Sequence, residues 1–196
     1  MSFEIKCGVV IALFAALMSI SDLFAGKYGD DEILLTNEKA SAYLWYQSKS
    51  IKETLLEGQS DLLKTLKKNG AFNATYLKGV DEHTAILDKK VAKYEAEKSE
   101  ILLGSNGVGK DKWVQEVDGE LGKVTGAKEY EAQIAKLGAA GDFFDYASLF
   151  YQICLVFGAI SLVMKNEKIQ NLFFLFMIGL GVVAVGFSTK AMLIII

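Results

Sequence analysis

The residue types best suited to chemistry lie in a glycine-rich segment near the middle of the chain. Gly104 to Lys110 reads Gly-Ser-Asn-Gly-Val-Gly-Lys, which has the Gly-x-x-x-x-Gly-Lys spacing of a phosphate-binding loop. That motif continues with a Ser or Thr that binds magnesium, whereas this chain has Asp111, whose charge repels phosphate. The motif also follows a strand, and no strand pattern precedes Gly104. We therefore interpret this segment as a flexible link between helices.

The other reactive side chains are isolated. His83 is the only histidine, and no second histidine or cysteine lies near it to complete a metal site. Cys7 and Cys154 both fall within apolar runs, where small packing residues are expected. No Ser/His/Asp or Cys/His set can be assembled from these residues. The sequence thus predicts no catalytic, cofactor-binding or metal-binding residue, and we expect no enzyme.

The amino-acid composition limits which partners and which secondary structure can be expected. The chain has no arginine, and lysines nearly balance acidic residues between Lys27 and Gly141, so no basic patch predicts nucleic-acid binding. Proline is also absent, so no ring interrupts a helix. Long helices are therefore the expected elements.

Three apolar runs are the elements that must position everything else: Cys7–Met18 with its extension to Ala25, Tyr146–Met164 and Leu172–Phe187. In lipid only helices and closed barrels satisfy their own backbone, so these runs predict three transmembrane helices. A signal peptide is the alternative for the first run, but Leu23 makes a poor cleavage site before Ala25. The predicted organisation is an N-terminal span in residues 1–26, an extramembrane helical domain in 27–141 and a transmembrane hairpin in 142–196.

Small and polar residues recur on single faces of these spans. Small residues let helices approach closely in lipid, and Gln152 is deep enough that we expect it to hydrogen-bond another span. The predicted membrane-packing residues are Gly8, Ala12, Ala16, Gln152, Cys154, Gly158, Ser161, Gly179 and Gly181.

The central domain opens with the strongest periodicity in the chain. Apolar residues repeat every eleven positions at Ile33, Leu44, Leu55 and Leu66, which predicts a nearly straight helix over about 32–69. This helix cannot bury its stripe alone, so we expect a second helix over about 81–103 to cover it. A weaker helix is predicted over about 111–137, and no strand. Glycine-containing segments at 26–31 and 138–141 are expected to break the chain next to the spans.

The densest aromatic cluster lies on this long helix, at residues 43–46, and core or helix-contact packing is its expected role. Together with the apolar stripe it forms a possible helix–helix interface: Tyr43, Leu44, Trp45, Tyr46, Ile51, Leu55, Leu62 and Leu66.

Three segments resemble a known family. They are Asn-Glu-Lys-Ala-Ser-Ala-Tyr-Leu-Trp-Tyr-Gln-Ser-Lys-Ser-Ile-Lys at 37–52, Tyr-Glu-Ala-Glu-Lys-Ser-Glu-Ile at 94–101, and Gly-Asp-Phe-Phe-Asp at 141–145 with Gln-Ile-Cys-Leu-Val at 152–156. Together they resemble an uncharacterised bacterial membrane protein family catalogued as domain of unknown function 4337. The resemblance implies three spans and a bacterial inner-membrane location, and it implies no activity. Residues 104–140 look like an insertion.

The expected fold is thus all-α, an integral membrane protein with three transmembrane helices and a long helical hairpin or coiled-coil domain between the first and second. Lys165 and Lys168 flank a short turn and favour its placement in the cytoplasm, which leaves the central domain periplasmic. The expected function is a non-enzymatic scaffold or accessory subunit that contacts membrane lipid and forms homo-oligomers or joins a membrane complex. The alternative is a component of a transport or channel assembly that uses polar residues in the spans.

Overall fold

The computed structural model describes residues 2–196 and is all-α apart from one small hairpin. Its helices are α1 (Phe3–Lys68), α2 (Ala74–Leu103), α3 (Ser105–Val108), α4 (Ala127–Val163) and α5 (Glu167–Ile195), with a 3₁₀ helix at Lys110–Lys112. Strands β1 (Glu116–Val117) and β2 (Glu120–Leu121) pair antiparallel. Two compact units arise, one from residues 2–34 with Gln133–Ile196 and the other from Leu35–Ala132.

Two predicted breaks are wrong, because α1 and α4 continue through them. Helix α1 passes through Gly26 and Gly29, and α4 passes through Gly138 and Gly141. A glycine in a helix costs up to about 1 kcal/mol relative to alanine, which the established turns on both sides can offset. Around the first pair, Tyr28 also stacks on Phe144, with ring centroids 6.0 Å apart.

In the first unit α1, α4 and α5 form a three-helix bundle. Buried positions on α4 are spaced by alternating steps of three and four residues, and α5 repeats the pattern. This is the 3.5-residue period of helices that pack with a left-handed twist. The buried sets are Ala140, Phe144, Ala147, Tyr151, Cys154, Gly158 and Ser161 on α4, and Met177, Gly181, Ala184, Ser188 and Ala191 on α5.

The buried serine hydroxyls of this bundle are hydrogen-bonded. Ser21 on α1 and Ser188 on α5 share a hydrogen bond of 3.0 Å, and both are buried. Ser161 donates to the carbonyl of Gln170 at 3.0 Å, and Ser148 donates to Asp22. Each buried hydroxyl therefore has a partner, as an apolar surrounding requires.

In the second unit α1 ends where the sequence supplies a left-handed residue. Gly70 has φ +71°, its amide donates to the carbonyl of Lys67 at 3.1 Å, and the amide of Ala71 donates to Leu66 at 3.0 Å. This pair of bonds is the Schellman motif that closes helices at glycine. Helix α2 then begins at Ala74 and returns antiparallel to α1.

The helix predicted over about 111–137 is wrong for its first half. Residues 110–126 form a 3₁₀ turn and the β1–β2 hairpin, and helix α4 starts only at Ala127. The turn at Asp118 and Gly119 has φ values of 53° and 79°, which is the geometry of a tight hairpin turn. The glycines therefore select a hairpin here, and the expectation of no strand is also wrong.

A single buried carboxylate organises this connection. Glu100, fully buried at the end of α2, accepts hydrogen bonds from the Ser105 hydroxyl at 2.7 Å and from the amides of Val114 and Gln115, each at 2.8 Å. Ser105 Oγ in turn accepts from the amide of Val124 at 3.0 Å. The segment that resembled a flexible link is thus held by a hydrogen-bonded network.

Replacement of Glu100 by alanine should loosen this network. Glu100→Ala leaves one buried hydroxyl and two half-buried amides without an acceptor. Each buried donor without an acceptor costs about 1–3 kcal/mol, so we expect a loss of several kcal/mol. Hydrogen exchange of amides 105–124 should accelerate, and thermal unfolding followed by circular dichroism should shift to lower temperature. The control Glu82→Ala changes an exposed carboxylate on the same helix. Equal unfolding temperatures and exchange rates in the two variants would contradict this role.

Candidate interaction surface

Helices α1 and α2 meet along a line of charged side chains, which we call the charged seam. Lys49 lies 2.6 Å from Glu97, and Lys98 forms an ion pair with Glu53. At most 16% of any of these four side chains is exposed. Each helix contributes one lysine and one glutamate, so the buried charges cancel in pairs.

Around these two ion pairs, an aromatic ring from each helix lies against a lysine of the seam. The ammonium of Lys49 lies 5.6 Å from the ring centre of Tyr94, and that of Lys98 lies 5.7 Å from the ring centre of Tyr46. The hydrogen bond to Glu53 raises the pKa of Lys98, against the opposing effect of burial. Lys98 therefore stays charged at neutral pH.

Towards the C-terminal end of α1 the seam continues with polar contacts. The Ser60 hydroxyl donates to Asp88 at 2.5 Å, and Lys64 lies 2.9 Å from the same carboxylate oxygen. The hydrogen bond from Ser60 has the larger effect, and together with the bond from Lys64 it lowers the pKa of Asp88. Lys67 pairs with Asp81 near the end of the hairpin. Helix α2 thus pairs with the polar face of α1 along this length.

The predicted interface stripe lies on the other face of α1. Leu44, Ile51, Leu55 and Leu62 remain 58–67% exposed. At 3.6 residues per turn they project roughly opposite to Glu53 and Ser60. The expectation that α2 covers this stripe is wrong, because charge pairing brings the opposite face of α1 against α2. Leu66 is half-buried.

The aromatic cluster of α1 is divided among different contacts. The Tyr43 hydroxyl donates to Glu131 at 2.9 Å, and this bond raises the pKa of Tyr43. Trp45 lines a cavity of about 210 Å³ with Val124 and Tyr130. Tyr46 belongs to the charged seam. Of the four clustered residues only Leu44 joins the exposed stripe.

An apolar groove follows the stripe. It has a volume of about 640 Å³ and is lined by Ser50, Ile51, Thr54, Leu55, Gly58, Gln59 and Leu62. We call residues Leu44, Ile51, Leu55 and Leu62, with Gly58 between them, the α1 stripe. No charged side chain lines the groove, so a hydrophobic partner fits it better than an ion or a nucleotide.

The predicted membrane-packing residues divide into two groups. Cys154, Gly158, Ser161 and Gly181 are buried between helices of the first unit. A Cβ on Gly158 would lie 2.6 Å from Met177 Sδ, and one on Gly181 would overlap the Phe14 ring. The second group lies outside these contacts: Gly8, half-buried, and Ala12, Ala16, Gln152 and Gly179, exposed.

The glycine-rich segment, His83 and the possible metal-binding side chains do not come together into one site. The amides of Val108 and Gly109 donate to the carbonyls of Gly104 and Ser105, so in this conformation they do not face a phosphate. His83 is exposed on α2. Over residues 2–196 no three His, Cys, Asp or Glu side chains could hold a metal ion together.

The charged seam is the feature that sequence reasoning missed. Lys49 and Glu53 are four residues apart on α1, and Glu97 and Lys98 are adjacent on α2. Such charges usually indicate a solvated helical face. The available signal is that each helix carries a tyrosine three or four residues before its seam lysine, Tyr46 before Lys49 and Tyr94 before Lys98. The seam glutamate follows the lysine on α1 and precedes it on α2.

The fold and the charged seam indicate the class of protein to which the chain belongs. Within residues 2–196, three helices, α1, α4 and α5, are long and apolar enough to cross a membrane. Between them the chain inserts a hairpin held by buried charges.

The sequence profile of the family described as Domain of unknown function (DUF4337) matches residues 3–194. The chain belongs to this family, which confirms the resemblance seen in its sequence. Comparison with curated proteins finds no match, and comparison with solved structures finds none either.

Exchange of charges across the seam should reveal the pairing. Glu53→Lys alone places a lysine against Lys98, and Lys98→Glu alone places a glutamate against Glu53. Because each single change leaves buried charges unpaired, we expect a loss of about 3 kcal/mol. The double variant restores opposite charges and should regain roughly half of the lost stability or more. Thermal or chemical unfolding measures all four proteins.

The exposed pair of Lys123 and Glu120, 3.3 Å apart, provides the matched control. The same exchange there should change stability by less than about 1 kcal/mol. Simple additivity of the two seam variants, with no recovery in the double, would show that the two side chains do not interact.

Two glycines on α5 test the close packing of the bundle. Gly181→Ala should destabilise the protein by about 1–3 kcal/mol, because the added methyl group overlaps the Phe14 ring. Gly179→Ala, two residues away, meets nothing within 4 Å and should cause no loss. Thermal unfolding in one detergent compares them, and equal losses would refute the packing.

Proposed function

We propose that this protein is an integral membrane scaffold or accessory subunit, without enzymatic activity, that acts by helix–helix self-association. In this proposal α1, α4 and α5 cross the bacterial inner membrane, and the α1–α2 hairpin lies in the periplasm. Lys165 in the short α4–α5 turn and Lys168 at the start of α5 support the orientation, since cytoplasmic turns are enriched in lysine.

The observation that carries the proposal is the uncovered α1 stripe. Helix α1 has two usable faces, and the charged seam already occupies the polar one. Four large aliphatic side chains are left in water over a length of 19 residues, from Leu44 to Leu62. An apolar row of this kind on an extramembrane helix is typical of a surface that another helix covers.

Magnitudes indicate where the association takes place. Complete burial of a Leu or Ile side chain contributes about 1.5–3 kcal/mol, so the exposed parts of four side chains from each of two copies supply on the order of 10 kcal/mol. Association costs about 4–15 kcal/mol in lost freedom. Because the two terms are similar, the stripe alone gives a weak complex. Anchoring in one membrane raises the effective concentration and favours the complex.

The alternative function, a component of a transport or channel assembly, has less support. Gln152, the polar residue deepest in the second apolar run, is exposed rather than directed into the bundle. The buried hydroxyls of Ser21, Ser161 and Ser188 are engaged in hydrogen bonds within the bundle. Solute flux in liposomes that Gln152→Leu abolishes would favour this alternative.

Charges placed on the stripe should separate the copies. We expect the purified full-length protein to be oligomeric by light scattering in mild detergent, and Leu55→Lys with Leu62→Lys to shift it toward the monomer. Burial of two lysines per copy costs more than the stripe can return. The control adds two lysines elsewhere, as Ala85→Lys with Ala92→Lys at exposed positions on α2, and should leave the mass unchanged.

Two results would contradict the proposal. One is a monomeric wild-type protein across several mild detergents and in lipid nanodiscs. The other is an oligomer of the same mass in the stripe variant, with helical content retained in both variants.

A further inference from the structure

We infer that the α1 stripe binds the α1 stripe of a second copy of this chain, with the two helices parallel and in register. The inference rests on the proposed function, since it names the partner and the geometry of that association. It depends on three observations about α1: the charge beside the stripe, the continuity of the helix, and the position of α2.

The residues beside the stripe favour a like partner. On a helix the neighbours of a residue are three and four positions away, which here are chiefly uncharged residues: Gln47, Ser48, Thr54, Gly58 and Gln59. A charged partner would find no row of complementary ions along this border. An identical copy meets no row of like charges. Between Leu44 and Leu62 the charged neighbours are Lys52 and, three positions after Gly58, Asp61, and in a twofold pair the two copies of each lie on opposite sides of the interface.

The continuity of α1 sets the direction. The same helix contains the first apolar segment, at its N-terminal end, and the stripe. Two copies inserted in one membrane with the same orientation therefore present their stripes in the same direction. A parallel pair related by a twofold axis brings each residue against its own copy, so Leu55 meets Leu55 and Leu62 meets Leu62.

The position of α2 leaves room for the partner. Because the charged seam and the stripe lie on opposite faces, a second α1 can bind without displacing α2. Gly58 lies within the groove, and nothing is within 4 Å of the position its Cβ would take. A residue without a side chain at this point lets a neighbouring helix approach closely.

Single cysteines in the full-length chain test the arrangement. The native Cys7 and Cys154 are fully buried, so the wild-type protein provides the background for cross-linking. Leu55→Cys and Leu62→Cys are introduced separately, and membranes are oxidised with copper phenanthroline. Asp61→Cys is the matched control, exposed and adjacent to Leu62 but turned about 100° around the helix.

We expect disulfide-linked dimers at both stripe positions, with a yield at least about tenfold above the control, because only facing Cβ atoms reach bonding distance. Co-expression of Leu44→Cys with Leu62→Cys tests the direction. Mixed dimers in excess of the symmetric ones would show antiparallel pairing and overturn the inference.

Light scattering on the same preparations separates the two proposals. An oligomer without cross-links at Leu55 and Leu62 overturns the parallel stripe pairing and leaves self-association intact. A monomer overturns both.

Discussion

Burial of opposite charges between α1 and α2 is the interaction that sets how the two helices of the second unit pair. Lys49 with Glu97 and Glu53 with Lys98 occupy the place that leucines take in most helical hairpins. A buried ion pair gains little net stability, because removal from water offsets most of the attraction. The arrangement is therefore costly to disturb and weakly stabilising. It also uses the polar face of α1 for folding, so the apolar face remains available to a partner.

The three-helix bundle follows the opposite principle. Its interior alternates small side chains with large ones such as Phe144 and Tyr151. Gly158 and Gly181 admit Met177, Ile11 and Phe14 at distances that a side chain would forbid. Small residues of this kind let the backbones of neighbouring helices approach closely. Paired hydroxyls such as Ser21 with Ser188 add polar contacts without charge. The two units thus pack their helices with different chemistry, buried ion pairs in one and close contacts at glycines in the other.

Local properties of the sequence were the ones that could be predicted. The apolar runs, the long helix before Gly70 and the all-α class follow from hydropathy, from an eleven-residue repeat and from a single left-handed glycine. The continuity of α1 through Gly26 was not predictable by the same rules, because packing around Tyr28 and the cooperativity of long helices outweigh a local cost. The hairpin at Asp118 had a recognisable Asp-Gly signal that the helical pattern around it obscured.

The contacts of the candidate surface were also beyond prediction from local sequence patterns. The residues of the stripe could be identified from their spacing, but not the face that α2 would cover. That choice depends on charges from two segments far apart in sequence, such as Lys49 and Glu97. Periodicity describes which residues share a face, and it does not reveal which face a distant helix prefers.

The charged seam also restricts how the hairpin can close. If α2 slid along α1 by one helical turn in one direction, Lys49 would face Lys93, and in the other direction it would face Ile101. Either misalignment places the ammonium group of Lys49 against a like charge or against a buried aliphatic side chain, without its carboxylate partner. An all-leucine contact would tolerate such slippage at small cost. The lysines and glutamates of the seam thus select one alignment of the two helices.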